Sequence, residues 1–155
     1  MSAPSTDTRV PRPPYAALAP LRVAEAMHPG LITCPPTTPL RVVARMMATY
    51  RVHAVLVQDP LSEAREWRLI SDTELVRAAA HDEFAERQAG AVAVSPALTV
   101  ASDDELAGVV EAMLGSGASH VVVVEPRTGK PIGVLSTLDV TRALAGFPER
   151  HPANF

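Results

Sequence analysis

The chain has 155 residues, 47% hydrophobic and 20% charged, with a formal net charge of -3 at pH 7. That length suits one compact domain or two very small ones, and the acidic balance lacks the broad attraction that a nucleic-acid or anionic-membrane binder needs. Fifteen prolines and eight glycines imply many short elements, and 4% aromatics leave the core to Val, Leu, Ala and Met, which excludes a long coiled coil.

Residues 1–20 carry five prolines and neither helical nor strand periodicity, so a flexible or extended arm is expected there, with docking through Tyr15 and Leu18 as the alternative. The opening residues lack the basic start and apolar stretch of a signal peptide, and no apolar run reaches the roughly 18 residues of a membrane span. The lone Cys34 cannot form an intramolecular disulfide. A cytoplasmic protein is expected, with neither nucleic acid nor membrane as a partner.

The sequence repeats itself. Thr33 to Pro60 aligns without a gap on Thr99 to Pro126, pairing Leu40 with Leu106, Val43 with Val109, Met47 with Met113 and Val55 with Val121. After a loop one residue shorter in the second copy, Ser71 pairs with Ser136, Glu74 with Asp139 and Arg77 with Arg142. A tandem duplication of about sixty residues fixes the organisation: arm 1–20, first repeat 21–80, linker 81–90, second repeat 91–146 and tail 147–155.

In chain order, Ile32 to Cys34 and Leu98 to Val100 are brief apolar runs beside prolines and suit short strands. Pro39 with Leu40, Val43, Met46 and Met47, and Asp103 to Leu114 in the second copy, read as amphipathic helices. Ala54 to Val57 and Val121 to Val124 lack polar alternation, as strands covered on both faces do. Each is followed by a turn and a second run, Trp67 to Ile70 or Ile132 to Leu135, which makes a hairpin. Ser71 and Ser136 then stand as N-caps of helices over Thr73 to Ala80 and Leu138 to Ala145. Asp82 to Glu86 reads as a solvated helix or linker with Phe84 packed inward.

This β-α-β-β-α unit, repeated, resembles the CBS domain, and two in tandem resemble a Bateman module. The motif that carries the likeness is Gly133-Val134-Leu135-Ser136-Thr137-Leu138-Asp139, altered in the first copy to Arg68-Leu69-Ile70-Ser71-Asp72-Thr73-Glu74. Val23 to Met27 resembles the short helix that opens the family's first repeat. The resemblance implies an α/β fold of two repeats packed about a pseudo-two-fold axis. It also implies a homodimer formed through helices such as Pro39 to Tyr50 and Leu138 to Leu144.

The likeness further implies a regulatory, non-enzymatic module that binds an adenosine-containing ligand (AMP, ADP, ATP or S-adenosylmethionine) and signals to an unknown effector protein through its dimer geometry. A hydroxyl residue at a helix start offers backbone N–H groups and the positive end of the helix dipole to a phosphate, which is the role expected of Ser136. One turn later, Asp139 can accept hydrogen bonds from a ribose diol. By resemblance, Ile32, Val52 and His53 of the other repeat flank the adenine, with Val134 on the strand leading to the motif and His120 beside the phosphate. Ser71 and Glu74 mark a second, weaker cleft, where Arg68 replaces the glycine.

Plainer readings stand beside these. Ser with an acid three residues later is also an ordinary capping box, worth about 0.5–2 kcal/mol with no ligand present. His120 equally fits a strand-edge histidine, and Cys34 a small buried hydrophobe. Cys34, His28, His53 and His120 show no paired metal-ligand spacing, so no metal is expected. The alternative function is a ligand-free interaction and dimerisation module with vestigial clefts.

Overall fold

The chain builds two mixed sheets, one from strands of the first copy alone and one from the second copy's strands with the strand His28–Pro29 of the first added at its edge. The computed structural model describes residues 15–63, 66–82, 84–93 and 96–146. Its strands are β1 (His28–Pro29), β2 (Thr33–Cys34), β3 (Ala54–Val57), β4 (Arg68–Ser71), β5 (Thr99–Ala101), β6 (His120–Val124) and β7 (Pro131–Ser136). Its helices are α1 (Val23–Ala26), α2 (Leu40–Tyr50), α3 (Asp72–Ala79), α4 (Ala89–Val92), α5 (Leu106–Ser116) and α6 (Thr137–Leu144), with a single 3-10 turn at Phe84–Glu86.

The first sheet runs β2-β3-β4 and the second β1-β7-β6-β5. β2 and β5 pair in parallel with β3 and β6, whose hairpin partners β4 and β7 are antiparallel. β3 is buried along its whole length and β6 at Val121, Val122 and Val123, as strands without polar alternation should be. One core gathers Leu40, Val43, Met47, Val55 and Ile70 under the first sheet. The other gathers Leu106, Val109, Met113, Val121 and Leu135 under the second.

The packed halves are not the two sequence copies, because the copies exchange their opening segments. The register that pairs Thr33 with Thr99 also pairs α1 with α4, and each of these helices packs on the other copy. Val23 N–H donates to Asp104 O and Leu106 N–H to Leu21 O. The same contacts recur as Ala89 N–H to Thr38 O and Leu40 N–H to Arg87 O. Val23 lies in the second copy's core and Ala89 in the first's, both fully buried. These matched pairs are the pseudo-two-fold relation in atomic detail.

Several expectations shift. Residues 15–20 are not a free arm: Leu18 is 1% exposed and belongs to the second core, because a leucine set between prolines loses little further entropy on docking. Residues 1–14 and 147–155 lie outside the described residues. The span read as linker, 81–90, contains the 3-10 turn, where Phe84 packs on the first core, and the start of α4. β1 carries no hydrophobic signal; it forms because Gly133 leaves room for it. A Cβ at Gly133 would meet His28 O and Met27 Cε at 2.4 Å each, so the glycine of the motif serves a backbone crossing.

Candidate functional site

A cleft lies where the end of β7 faces residues 28–32 and 50–54 of the first copy. Ser136, extended at φ -114° and ψ 163°, caps α6. Its N–H and hydroxyl both donate to Asp139 Oδ2 at 2.9 Å, and Asp139 N–H donates back to Ser136 Oγ at 3.2 Å. Asp139 is only 5% exposed, and the Arg142 guanidinium lies 3.9 Å from its Oδ1.

Opposite stand residues 28–32, which leave β1, and residues 50–54, which lead from α2 into β3. The cavity between measures about 430 Å³, within the roughly 300–1,000 Å³ of small-molecule sites. Ile32, Val52, His53, His120, Val134, Ser136 and Asp139 all line it, so one cavity unites the residues named from both copies. His120 is placed there by strand register, directly across from Ser136.

The electrostatics alter two sequence readings. Burial holds the His120 imidazole below its usual range, with Asp72 opposing and His53 reinforcing that shift, so the ring favours its neutral form in the open cleft. Its Nδ1 lies 3.0 Å from Ser119 Oγ. Beyond it, His53 Nδ1 and Asp72 Oδ2 lie 2.9 Å apart. Burial pushes the Asp72 carboxyl up, but the bonds from His53 and the Thr73 amide outweigh it and hold it below the usual carboxylate range. The amides at the start of α6 are also less available than a bare helix end, since Ser136 and Asp139 close the cap and Thr137 N–H donates to Ser119 O. A phosphate here would meet cationic side chains more than open amides, since the Ser136 hydroxyl proton is given to Asp139.

Sequence reasoning missed Arg51, Arg142, Tyr50 and the turn His28–Gly30, all of which line the cleft. Arg142 was legible, three residues beyond Asp139 and so on the same helix face. Arg51 was legible only by comparing copies: the repeat register sets it against Gly117, and both hold left-handed backbone, at φ 53° and 69°. In the first copy, Ser71 and Glu74 close the same cap: Ser71 N–H donates to Glu74 Oε2 at 2.6 Å and the Ser71 hydroxyl bonds the same oxygen. Neither residue lines the cleft. Among the described residues no group of three or more His, Cys, Asp or Glu side chains could hold a metal ion, and no helix is long and apolar enough to cross a membrane.

No curated protein sequence matches the chain. Among solved structures, a CBS domain protein from Pyrobaculum aerophilum complexed with AMP is 25% identical, covers 82% of this chain and 100% of its own, and superposes with a TM-score of 0.68. The CBS domain pair of protein MJ0100, in complex with 5′-methylthioadenosine and S-adenosyl-L-methionine, is 16% identical over 81% of this chain and 97% of that one, with a TM-score of 0.70. The CBS domain of a bacterial CNNM/CorC family Mg2+ transporter is 15% identical, covers 86% and 80%, and gives 0.68. The CBS domain family model matches residues 23–65 and 89–146, beginning at α1 and α4; the second match takes in the capped helix α6, while the first ends before β4 and α3; the chain belongs to the CBS domain family and carries two such domains in tandem.

Proposed function

We propose that the chain is a regulatory module that binds an adenosine-containing ligand in the cleft between its repeats, performs no chemistry, and signals through the geometry of a homodimer. The observation that carries this reading is the convergence of Ser136 and Asp139 from one copy with Ile32, Val52 and His53 from the other on one cavity of about 430 Å³. Ile32, Val52 and Val134 offer apolar walls to a base, Asp139 takes the ribose diol, and Ser136 with His120 faces the phosphate. The AMP held by the Pyrobaculum aerophilum relative supports an adenosine ligand here. Such a ligand is abundant in the cytoplasm, the compartment that goes with this reading.

The second copy of the chain is the proposed partner. Tyr50, Val76, Leu114, Leu138 and Leu144 are 46–73% exposed on α2, α3, α5 and α6, leaving apolar side chains outside both cores. A ligand alters the dimer only through its difference in affinity for two arrangements, and an effector protein reads the result. Light scattering should give twice the monomer mass.

Titration calorimetry of the full chain against AMP, ADP, ATP and S-adenosylmethionine tests the ligand reading. Saturable binding that Asp139→Ala and Asp139→Asn both weaken is expected, with every nucleotide recovered unchanged after prolonged incubation. A melting temperature indifferent to all four would favour the ligand-free interaction module, since a ligand that binds only the native state raises stability. The closed caps at both Ser71 and Ser136, complete without any ligand, are the observation on that side.

A further inference from the structure

We infer that Arg51 determines the specificity of the cleft, restricting it to adenosine that carries phosphate and disfavouring uncharged or cationic adenosyl ligands; this rests on the adenosine-binding reading above. Helices α2 and α5 end in the same way. Val52 N–H donates to Met47 O and Ala118 N–H to Met113 O, and the residue between helix and strand is left-handed in both, Arg51 at φ 53°, ψ 42° and Gly117 at φ 69°, ψ 18°. Glycine is the residue this turn favours, because a β-carbon crowds the following carbonyl. Arginine in that place is a backbone cost the helix end does not require, and such costs gather where a side chain serves a ligand.

The site of that cost is the cavity wall. Arg51 lines the cleft and Gly117 does not. Arg51 is exposed, so core packing does not account for it, and among the described residues no carboxylate forms an ion pair with it. Arg142, the other permanent cation of the lining, is by contrast 3.9 Å from Asp139. The lining therefore holds two guanidinium groups, of Arg51 and Arg142, against one carboxylate, of Asp139. A phosphate ester restores the balance and gives a guanidinium its preferred planar, two-pronged acceptor. A sulfonium ligand adds a third positive charge to the same space.

Calorimetry of the full chain against AMP, 5′-methylthioadenosine and S-adenosylmethionine separates the outcomes. The parent should bind AMP about ten-fold or more tightly than the other two, as a charge-assisted pair implies. Arg51→Gly and Arg51→Gln should each weaken AMP by about ten-fold and leave methylthioadenosine within about two-fold, while Arg51→Lys restores part of the loss. Arg51→Gly should also melt above the parent, which excludes unfolding as the cause of weaker binding. Equal binding of all three ligands by the parent, or undiminished AMP affinity in Arg51→Gly, would overturn the role of Arg51 and leave the adenosine reading standing. If the parent bound none of the three, the adenosine reading itself would fall, and this inference with it.

Discussion

Ser71 and Ser136 start their helices with the same closed ring of hydrogen bonds, at matching positions of a duplicated unit. Yet Ser136 lines a cavity, while Ser71 is 4% exposed and borders none of it. The cap is thus a folding device that both copies share, and it does not by itself make a site. The cleft is made by residues the copies do not share. Gly133, where the first copy has Arg68, admits β1 as a wall; His120 stands where the first copy has Ala54, and Arg51 where the second has Gly117.

The strongest way to break this comparison is at the glycine. In Gly133→Ala, the new Cβ would lie 2.4 Å from a backbone oxygen of β1 and from Met27 Cε. The methionine tip can move, but the strand cannot without losing its pairing to β7. A loss of about 2–3 kcal/mol in denaturant unfolding is expected, together with loss of nucleotide binding. Arg68→Ala, the matching change, should stay within about 0.5 kcal/mol of the parent. Equal effects at the two positions would mean that the strand exchange does not shape the cleft.

Next in size is the acid of each cap. Asp139→Ala and Glu74→Ala should both cost about 1 kcal/mol of stability, the ordinary worth of a cap. Only Asp139→Ala should also cost about 2 kcal/mol of AMP binding, roughly 30-fold in Kd, since a carboxylate holding a ribose diol makes charged hydrogen bonds. A like loss of affinity in Glu74→Ala would place a working site at the first motif.

Which parts of this were legible in the sequence follows from where the information resides. Periodicity and caps are local, so β3, β6, both hairpins and the helices at Leu40, Asp72 and Thr137 were readable within a residue or two, while α5 starts three residues later than Asp103, where the acidic residues read as its first turn precede it. The repeat register showed that there are two similar units, and the family resemblance supplied the long-range step of setting Ile32 and Val52–His53 of one opposite Ser136 and Asp139 of the other. What stayed hidden was non-local or non-repeating. α4, Ala-Gly-Ala-Val, has no stripe and barely resembles Val-Ala-Glu-Ala of α1; it is helical because Thr38 and Pro36 carbonyls on the other copy receive its first amides. β1 is two residues long, too short for any pattern, and Leu18 sits in a proline-rich stretch whose composition says nothing of what it covers. Arg51 looked like an ordinary surface charge until set against a left-handed glycine.

The smallest expected effect concerns protons. Because burial lowers the folded-state pKa of His120 below its unfolded value, the native state binds fewer protons than the unfolded chain between those two values. The ligand-free protein should therefore lose stability as pH falls through the unfolded value of about 6.5, and lose no more from this ring once pH is below its folded value. A phosphate beside the ring reverses the preference, since its charge favours the imidazolium, so AMP binding should take up a proton and tighten as pH falls from 8 to 6.5. Uptake is measured directly by calorimetry in buffers of different ionisation enthalpy. The phosphate also takes up protons in this range, so the informative quantity is the difference between the parent and His120→Ala, which places in the second copy the residue the first carries at Ala54. If proton uptake were the same in both, the phosphate would not be next to His120, and the adenosine ligand would have to lie in the cleft in another orientation.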